Sequence, residues 1–341
     1  MPTHKSNTTD VAIIGAGPVG LFCVFECGML KIVCHVVDTL DVLGGQCAAL
    51  YPEKPIYDIP GYSRIMATEL IGKLAEQAAP FEPVYHLGQR VEAIARQGGD
   101  WQLETSRGCR ISSKAIVIAA GVGAFGPNRP PVPGIEAFEG ESVFYMVGRR
   151  EDFRGKRIVI AGGGDSALDW TLSLAELAAK IYVVHRRPKF RGAPESVARL
   201  HRLAEETSVV EFVVPYQLAS LEGRKGRLSA VIVRTLDGAI RRLEADVLLP
   251  FFGLSMNLGP IATWGLNLDR NLIAVDPATC ATNVPGVFAI GDIATYPGKL
   301  KLILSGFSEA AMAAHTIFGL VHPDEELHWE YSTTKGVPGL V

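Results

Sequence analysis

Short apolar runs alternate along the chain with glycine-rich turns and helical stretches. Residues 11–14 (VAII) form an apolar strand run that feeds Gly15. A helix is expected over about 19–29 and a second strand over 32–37. Strand, glycine turn, helix and strand in that order predict a βαβ unit. The same order returns from Arg157: a strand over 158–161, a helix to about 179, and a strand over 181–184. Further strands are expected at 115–122 (AIVIAAGV) and, after the turn Asn283-Val284-Pro285-Gly286, at 287–290. A helix-like stretch follows over 307–318.

The turn after the leading strand of each copy carries the chemistry. In the first copy Gly15 permits the tight turn and Gly17 lets a pyrophosphate approach the backbone. Pro18 opens the helix, and Gly20 allows helix and strand to pack closely. In the second copy Gly162, Gly164 and Ala167 take these places, with Asp165 and Ser166 between them. The interval from Gly15 to Asp38 is 23 residues, as is that from Gly162 to His185. One such motif is a weak signal, but two with matched spacing predict two similar dinucleotide-binding domains.

The copies differ where the second strand ends. Asp38 offers a carboxylate to ribose hydroxyls. The second copy instead has His185, Arg186 and Arg187, followed by Lys189 and Arg191. Guanidinium forks match a 2′-phosphate that a carboxylate would repel, so this domain is expected to prefer NADPH to NADH. Near the end of the chain Gly291-Asp292 follows a strand and precedes a helical stretch. An Asp in that place can hold a polyol chain such as the ribityl of FAD.

Composition narrows the field. The chain has 341 residues, of which 48% are hydrophobic, enough for two ordinary cores. With 33 basic and 36 acidic residues the net charge is −3, which gives no general attraction to nucleic acid or anionic membranes. The start is polar, and no apolar run approaches the roughly 18 residues a membrane span needs, so a cytoplasmic location is expected. The six cysteines, at 23, 27, 34, 47, 109 and 280, include no C-x-x-C and no zinc spacing, and read as reduced, packed thiols. The eight histidines include no HExxH, and neither a metal site nor a hydrolytic triad is expected.

On these residues the chain resembles, over essentially its whole length, the flavoproteins of the thioredoxin-reductase fold. The resemblance implies an α/β architecture of two Rossmann-like dinucleotide-binding domains. The FAD domain comprises residues 1–122 and 288–341, and the NADPH domain, 123–287, is inserted between them. The connections at 121–127 and 282–286 have hinge composition. The strip Leu43-Gly44-Gly45-Gln46-Cys47 begins like the active-site strip of flavin-dependent disulfide reductases. The second cysteine of such a strip would fall five residues on, at Pro52. The alternative C-x-x-C of thioredoxin reductases would fall at Tyr145-Met146-Val147-Gly148, which holds no sulfur pair. Both disulfide positions are vacant. Cys47 then reads as a small packed residue near the flavin, against the alternative of a lone redox thiol.

Residues 49–58, with Tyr51 among them, are similar to the bacterial ferredoxin–NADP+ reductases of the thioredoxin-reductase type. The resemblance implies that Tyr51 stacks on one face of the isoalloxazine and that Tyr331, in a C-terminal extension over 321–341, covers the other. Ser332 and Thr333 would hydrogen-bond the flavin N5 and O4 region or the phosphates, and the extension would reach across a homodimer. Gly45, Gln46, Val91, Phe125 and Asp292 complete the expected FAD contacts. The implied activity is hydride transfer from NADPH to FAD, followed by single-electron transfer to ferredoxin or flavodoxin. A thioredoxin-type disulfide reductase, an NADPH oxidase and a redox-sensing flavoprotein without turnover remain as alternatives. For an acidic ferredoxin, Arg149, Arg150, Arg154, Lys156, Arg157, Lys299 and Lys301 are candidate contacts, and each is equally compatible with ordinary solvated surface.

Overall fold

The computed structural model describes residues 7–327 and 336–337, without the side chains of 124–127 and 254–256. Tyr331, Ser332 and Thr333 therefore lie outside the described residues. Packing divides the chain into two units, Met1–Phe125 with Met256–Val341, and Gly126–Ser255.

The first unit is built on parallel strands in the order Val84–His86, Cys34–Val37, Thr8–Ile14 and Arg110–Ile118. Val287–Ala289 lies along the second half of the last. Successive side chains of a strand point to opposite faces, and here both faces are covered. Val11, Ile13, Val36 and Val117 face the helices Pro18–Met29 and Ile303–Val321. Ala12, Ile14, Val37, Ile116 and Ile118 face the other way. They meet Val91, Trp101 and Leu103 of an antiparallel meander, together with Leu258, Ile261, Leu266 and Ile273.

Register brings the functional turns to one edge. Ile14 pairs with both Val37 and Ile118, and Ile118 pairs with Ala289. The four strand ends are level, so Gly15, Asp38, Ala119 and Gly291 follow at the same carboxyl edge, where ligands of open α/β sheets bind.

The chain rejoins this unit at Met256, not near residue 288. Residues 256–287 supply five buried apolar side chains to its second core, and the strand Leu272–Ala274 pairs with Ala294–Thr295. The turn at 282–286 is internal to the unit, closed by Thr282 N–H donating to the Val287 carbonyl at 3.0 Å. The two connections, Ala124–Pro127 and Leu254–Asn257, pair with each other as a two-stranded ribbon.

The second unit repeats the plan on a smaller scale. Four parallel strands run in the order Val210–Val213, Lys180–Val184, Arg157–Ala161 and Val247–Pro250. A three-stranded meander, Gln217–Arg224, Arg227–Arg234 and Ile240–Glu244, packs Leu228, Val231, Val233 and Leu243 against Val159 and Leu248. The helix Asp165–Leu174 stops short of the expected residue 179, and the helix Ile303–Val321 starts one turn before residue 307. Among the described residues no helix is long and apolar enough to cross a membrane, and no cluster of three or more metal-ligating side chains occurs.

Candidate functional site

The first glycine turn is shaped by backbone contact. Gly15 has φ +116°, and a Cβ there would meet the Ala119 carbonyl oxygen at 2.3 Å. A Cβ on Gly20 would come within 2.0 Å of the Gly15 carbonyl oxygen, so the helix lies directly on the strand end. The helix begins at Pro18 after Gly17, with no side-chain cap on its first amides. Uncapped amides at a positive dipole end suit an anion such as a pyrophosphate.

The strip at 43–47 is docked on this turn. Gly44 N–H donates to the Ala16 carbonyl at 2.8 Å, and a Cβ on Gly45 would lie 3.1 Å from the Gly17 Cα. The Gln46 amide nitrogen sits 3.0 Å from where a Cβ of Gly121 would be. Two glycine turns thus meet backbone to backbone, leaving a side-chain-free cradle that fits a dinucleotide.

Asp38 is buried, and both its oxygens hold backbone: Oδ2 accepts from Ala16 N–H at 2.6 Å and Oδ1 from Leu40 N–H at 2.8 Å. Burial raises its pKa, and these hydrogen bonds oppose the rise. Asp38 therefore fastens the glycine turn, and a ribose hydroxyl would use a remaining lone pair. The Val91 side chain is core at 3% exposure, so any binding role falls to its main chain. Phe125 lies in the strand Ala124–Pro127, and its side chain is outside the described residues.

Tyr51 packs with Ile56, Phe22, Ile303 and Phe307 around the cluster that contains Cys47. The Cys47 thiol, 1% exposed, points at the Tyr51 hydroxyl at 3.8 Å. Burial raises the pKa of both groups. The Asp292 charge raises both further, which places Tyr51, Cys47 and Asp292 in one neighbourhood. Cys47 is held as a thiol, since the features that create a reactive thiolate are cationic neighbours and exposure. None of the six cysteines is bonded to another.

Asp292 is half-buried in the short turn Gly291–Ile293. Desolvation raises its pKa, and Lys301 and Lys299 pull it back. Behind the turn lies a group that sequence reasoning missed. Glu309, fully buried, accepts Gly291 N–H at 2.7 Å, Tyr296 O–H at 2.7 Å and the Lys299 ammonium. The available signal was a single acid in the apolar run of residues 303–321.

Lys299 was a candidate partner contact. With its side chain 5% exposed and its charge committed to Glu309, it has no free charge to present. Arg149, Arg150, Arg154 and Arg157 are likewise paired, with Asp152, Glu176, Glu151, and Glu244 with Asp246.

In the second unit a Cβ on Gly162 would lie 2.6 Å from the Phe251 carbonyl oxygen and 3.2 Å from the Ala167 Cβ. The helix from Asp165 follows Gly164 without a side-chain cap. The basic loop is fastened to this turn: Arg191 N–H donates to the Gly163 carbonyl at 2.7 Å and Ala193 N–H to Asp165 Oδ1 at 2.8 Å. The His185 ring lies on Gly163, where a Cβ would come within 2.4 Å of it, and stacks on Phe190 with centroids 5.2 Å apart. Its Nε2 is buried without a hydrogen-bond partner among the described residues. Burial and the charges of Arg191, Arg186 and Arg187 hold its pKa down. Arg186, Arg187 and Arg191 are exposed, and no carboxylate among the described residues pairs with them. Ser166 is exposed in the first turn of the helix. Uncommitted cations beside a glycine turn make a receptor for a phosphorylated dinucleotide.

Residues 9–316 match the pyridine nucleotide-disulphide oxidoreductase family. A ferredoxin–NADP reductase of Paramagnetospirillum magneticum is 65% identical over 97% of this chain and 98% of that protein. One of Rhodospirillum rubrum is 61% identical over 97% of each. Among solved structures, the thioredoxin reductase of T. acidophilum superposes with a TM-score of 0.80 at 24% identity, covering 92% of this chain and 99% of that one. The last shows the shared fold, and the first three show the lineage: the chain belongs to the pyridine nucleotide-disulphide oxidoreductase family, and within it to the ferredoxin–NADP reductases.

Proposed function

We propose that the chain is an FAD-dependent reductase that draws on NADPH and passes electrons one at a time to ferredoxin or flavodoxin, working in the cytoplasm as a homodimer. The reading is carried by one observation: both glycine turns are intact, yet Cys47 is sealed as a thiol against Tyr51, and position 52, where a disulfide strip would carry its second sulfur, is Pro. An enzyme of this fold without a disulfide must serve its acceptor from the flavin itself.

When bound, FAD supplies the conversion between a two-electron hydride donor and a one-electron acceptor. The chain supplies position. Gly15, Gly17, Pro18 and Gly20 bring helix amides to the pyrophosphate, with Gly45 and Gln46 opposite. Asp38 and the Val91 main chain serve the adenosine end, and Phe125 lies on the strand leading away. Asp292 accepts from the ribityl hydroxyls. Tyr51 covers one face of the ring and keeps water from it. Tyr331, Ser332 and Thr333 are assigned to the other face by family resemblance. Gly162, Gly164, Asp165, Ser166 and Ala167 form the NADPH turn, and His185, Arg186, Arg187 and Arg191 hold its 2′-phosphate.

The test is NADPH oxidation coupled to cytochrome c, with and without ferredoxin. A ferredoxin-dependent rate supports the proposal. A rate indifferent to ferredoxin sinks it, in favour of an oxidase if oxygen is consumed or of a disulfide reductase if alkylation after NADPH reduction abolishes activity.

A further inference from the structure

Asp38 and Glu309 are the only carboxylates buried among the described residues of the molecule. Each accepts a backbone N–H from a turn at the carboxyl edge of the first unit's sheet: Asp38 from Ala16 at 2.6 Å, Glu309 from Gly291 at 2.7 Å. Eighteen residues separate Gly291 from its acceptor, so the bond ties the turn to the second helical turn of Ile303–Val321. That helix is itself seated against the first one, because Gly306 leaves only 2.3 Å between a Cβ of its own and Val19. Val19 also closes over Gly291, whose φ is +75°.

Stability alone does not account for Glu309. A buried ion pair is often matched or bettered by apolar residues of the same volume. Glu309 instead uses one oxygen for the turn and the other for Tyr296 and Lys299. Lys299, which also lies 5.4 Å over the Tyr296 ring, pairs with this carboxylate beside a second acid, Asp292. The Glu309 carboxylate thus links the Ile290–Gly291 peptide, one residue ahead of Asp292, to Tyr296 and Lys299.

We propose that Glu309 is a positioning residue for flavin binding: through the Gly291 N–H it fixes the turn that presents Asp292 to the FAD polyol, with Lys299 as its counter-charge. This rests on the assignment of Asp292 to the polyol.

The experiment titrates FAD into the full-length apoprotein, read by quenching of flavin fluorescence, in wild type, Asp292→Ala, Glu309→Gln, their double variant, and Lys299→Met with Glu309→Met. Asp292→Ala is expected to weaken FAD about tenfold, the scale of one lost hydrogen bond to a charged group. Glu309→Gln keeps an acceptor and loses less, and in the Asp292→Ala background it adds little, because both act through one turn. The Lys299→Met, Glu309→Met chain leaves no charge buried alone. Its apoprotein should melt near the wild-type temperature while its FAD affinity stays about tenfold down. Multiplicative losses in the Asp292–Glu309 pair, or recovery of FAD affinity together with the melting temperature, overturn the role of Glu309. An unchanged affinity in Asp292→Ala overturns the polyol assignment and with it the route proposed for Glu309.

Discussion

Arg186 and Arg187 offer the sharpest quantitative test of the cofactor assignment. Both are exposed, and neither is paired with a carboxylate among the described residues, so replacing them by Ala strands no buried charge. The loop they sit on is held by main-chain bonds at Arg191 and Ala193, so its path should survive. A hydrogen bond to a charged group is worth roughly 1.5–3 kcal/mol, and exposure to solvent cuts that to about 1–1.5 kcal/mol per residue. Two residues therefore contribute about 2–3 kcal/mol, a factor of about 30–150 in kcat/KM, because 1.36 kcal/mol corresponds to tenfold.

The whole of that factor should fall on NADPH, since NADH lacks the 2′-phosphate. The assay is steady-state kcat/KM for both nucleotides with ferricyanide as acceptor, which leaves the protein partner out of the measurement. The expected result is a collapse of the NADPH/NADH preference by about 30–150-fold with the NADH value unchanged. Equal losses for both nucleotides would mean that the double variant disturbs the turn itself, and no loss would place the 2′-phosphate elsewhere. Either outcome refutes the reasoning.

Cys47→Ser should keep ferredoxin-dependent activity within about threefold, since a thiol held protonated does no electron transfer, and a loss of activity would restore Cys47 as a redox group. Gly20→Ala sets a Cβ 2.0 Å from the Gly15 carbonyl oxygen and should cost about 1–3 kcal/mol by urea unfolding while releasing FAD, so an unaffected FAD affinity would separate this turn from the cofactor. Raising ionic strength should slow the ferredoxin-dependent rate, and Lys156→Ala and Lys301→Ala should reduce that rate more than changes at the paired Arg154 or Arg157; a salt-independent rate would exclude steering. His35 and His86 share a 3.1 Å ring-nitrogen contact, and burial lowers the pKa of both, so the unfolded chain takes up protons first. Stability should hold above about pH 6.5 and fall as pH drops through the lowered folded values, with a flatter profile in His86→Gln as the check.

Much of the fold was legible because it rests on local rules. A glycine whose φ is +116° and whose missing Cβ leaves room for the Ala119 carbonyl leaves a mark at Gly15, and two such marks at equal spacing identified two nucleotide units. The boundary at Met256 was hidden for a different reason. Leu258, Ile261, Leu266 and Ile273 are apolar whichever core they fill, and hydrophobicity does not name the core. The basic residues show the same limit. Arg186 and Arg157 look alike in sequence, yet one is uncommitted while the other is held by Glu244 and Asp246, 87 and 89 residues further along the chain. Charge is a property of a residue, and availability is a property of its partners.

Lys299 and Glu309 carry that distinction to the chemistry. In sequence Lys299 was one cation among seven, and Glu309 one acid in an apolar helix. Folding spends each on the other, beside a turn whose next residue is Asp292. The vacated disulfide is shaped by the same neighbourhood. A redox cysteine beside a flavin needs its thiolate stabilised, and here burial and the Asp292 carboxylate both oppose ionisation of Cys47. Lys299 is paired directly with Glu309, and the charges of Lys299 and Lys301 lower the pKa of Asp292, not that of Cys47. The absence of a sulfur at position 52 and the opposed ionisation of Cys47 therefore agree, and both favour the proposed function, in which the flavin itself serves the acceptor.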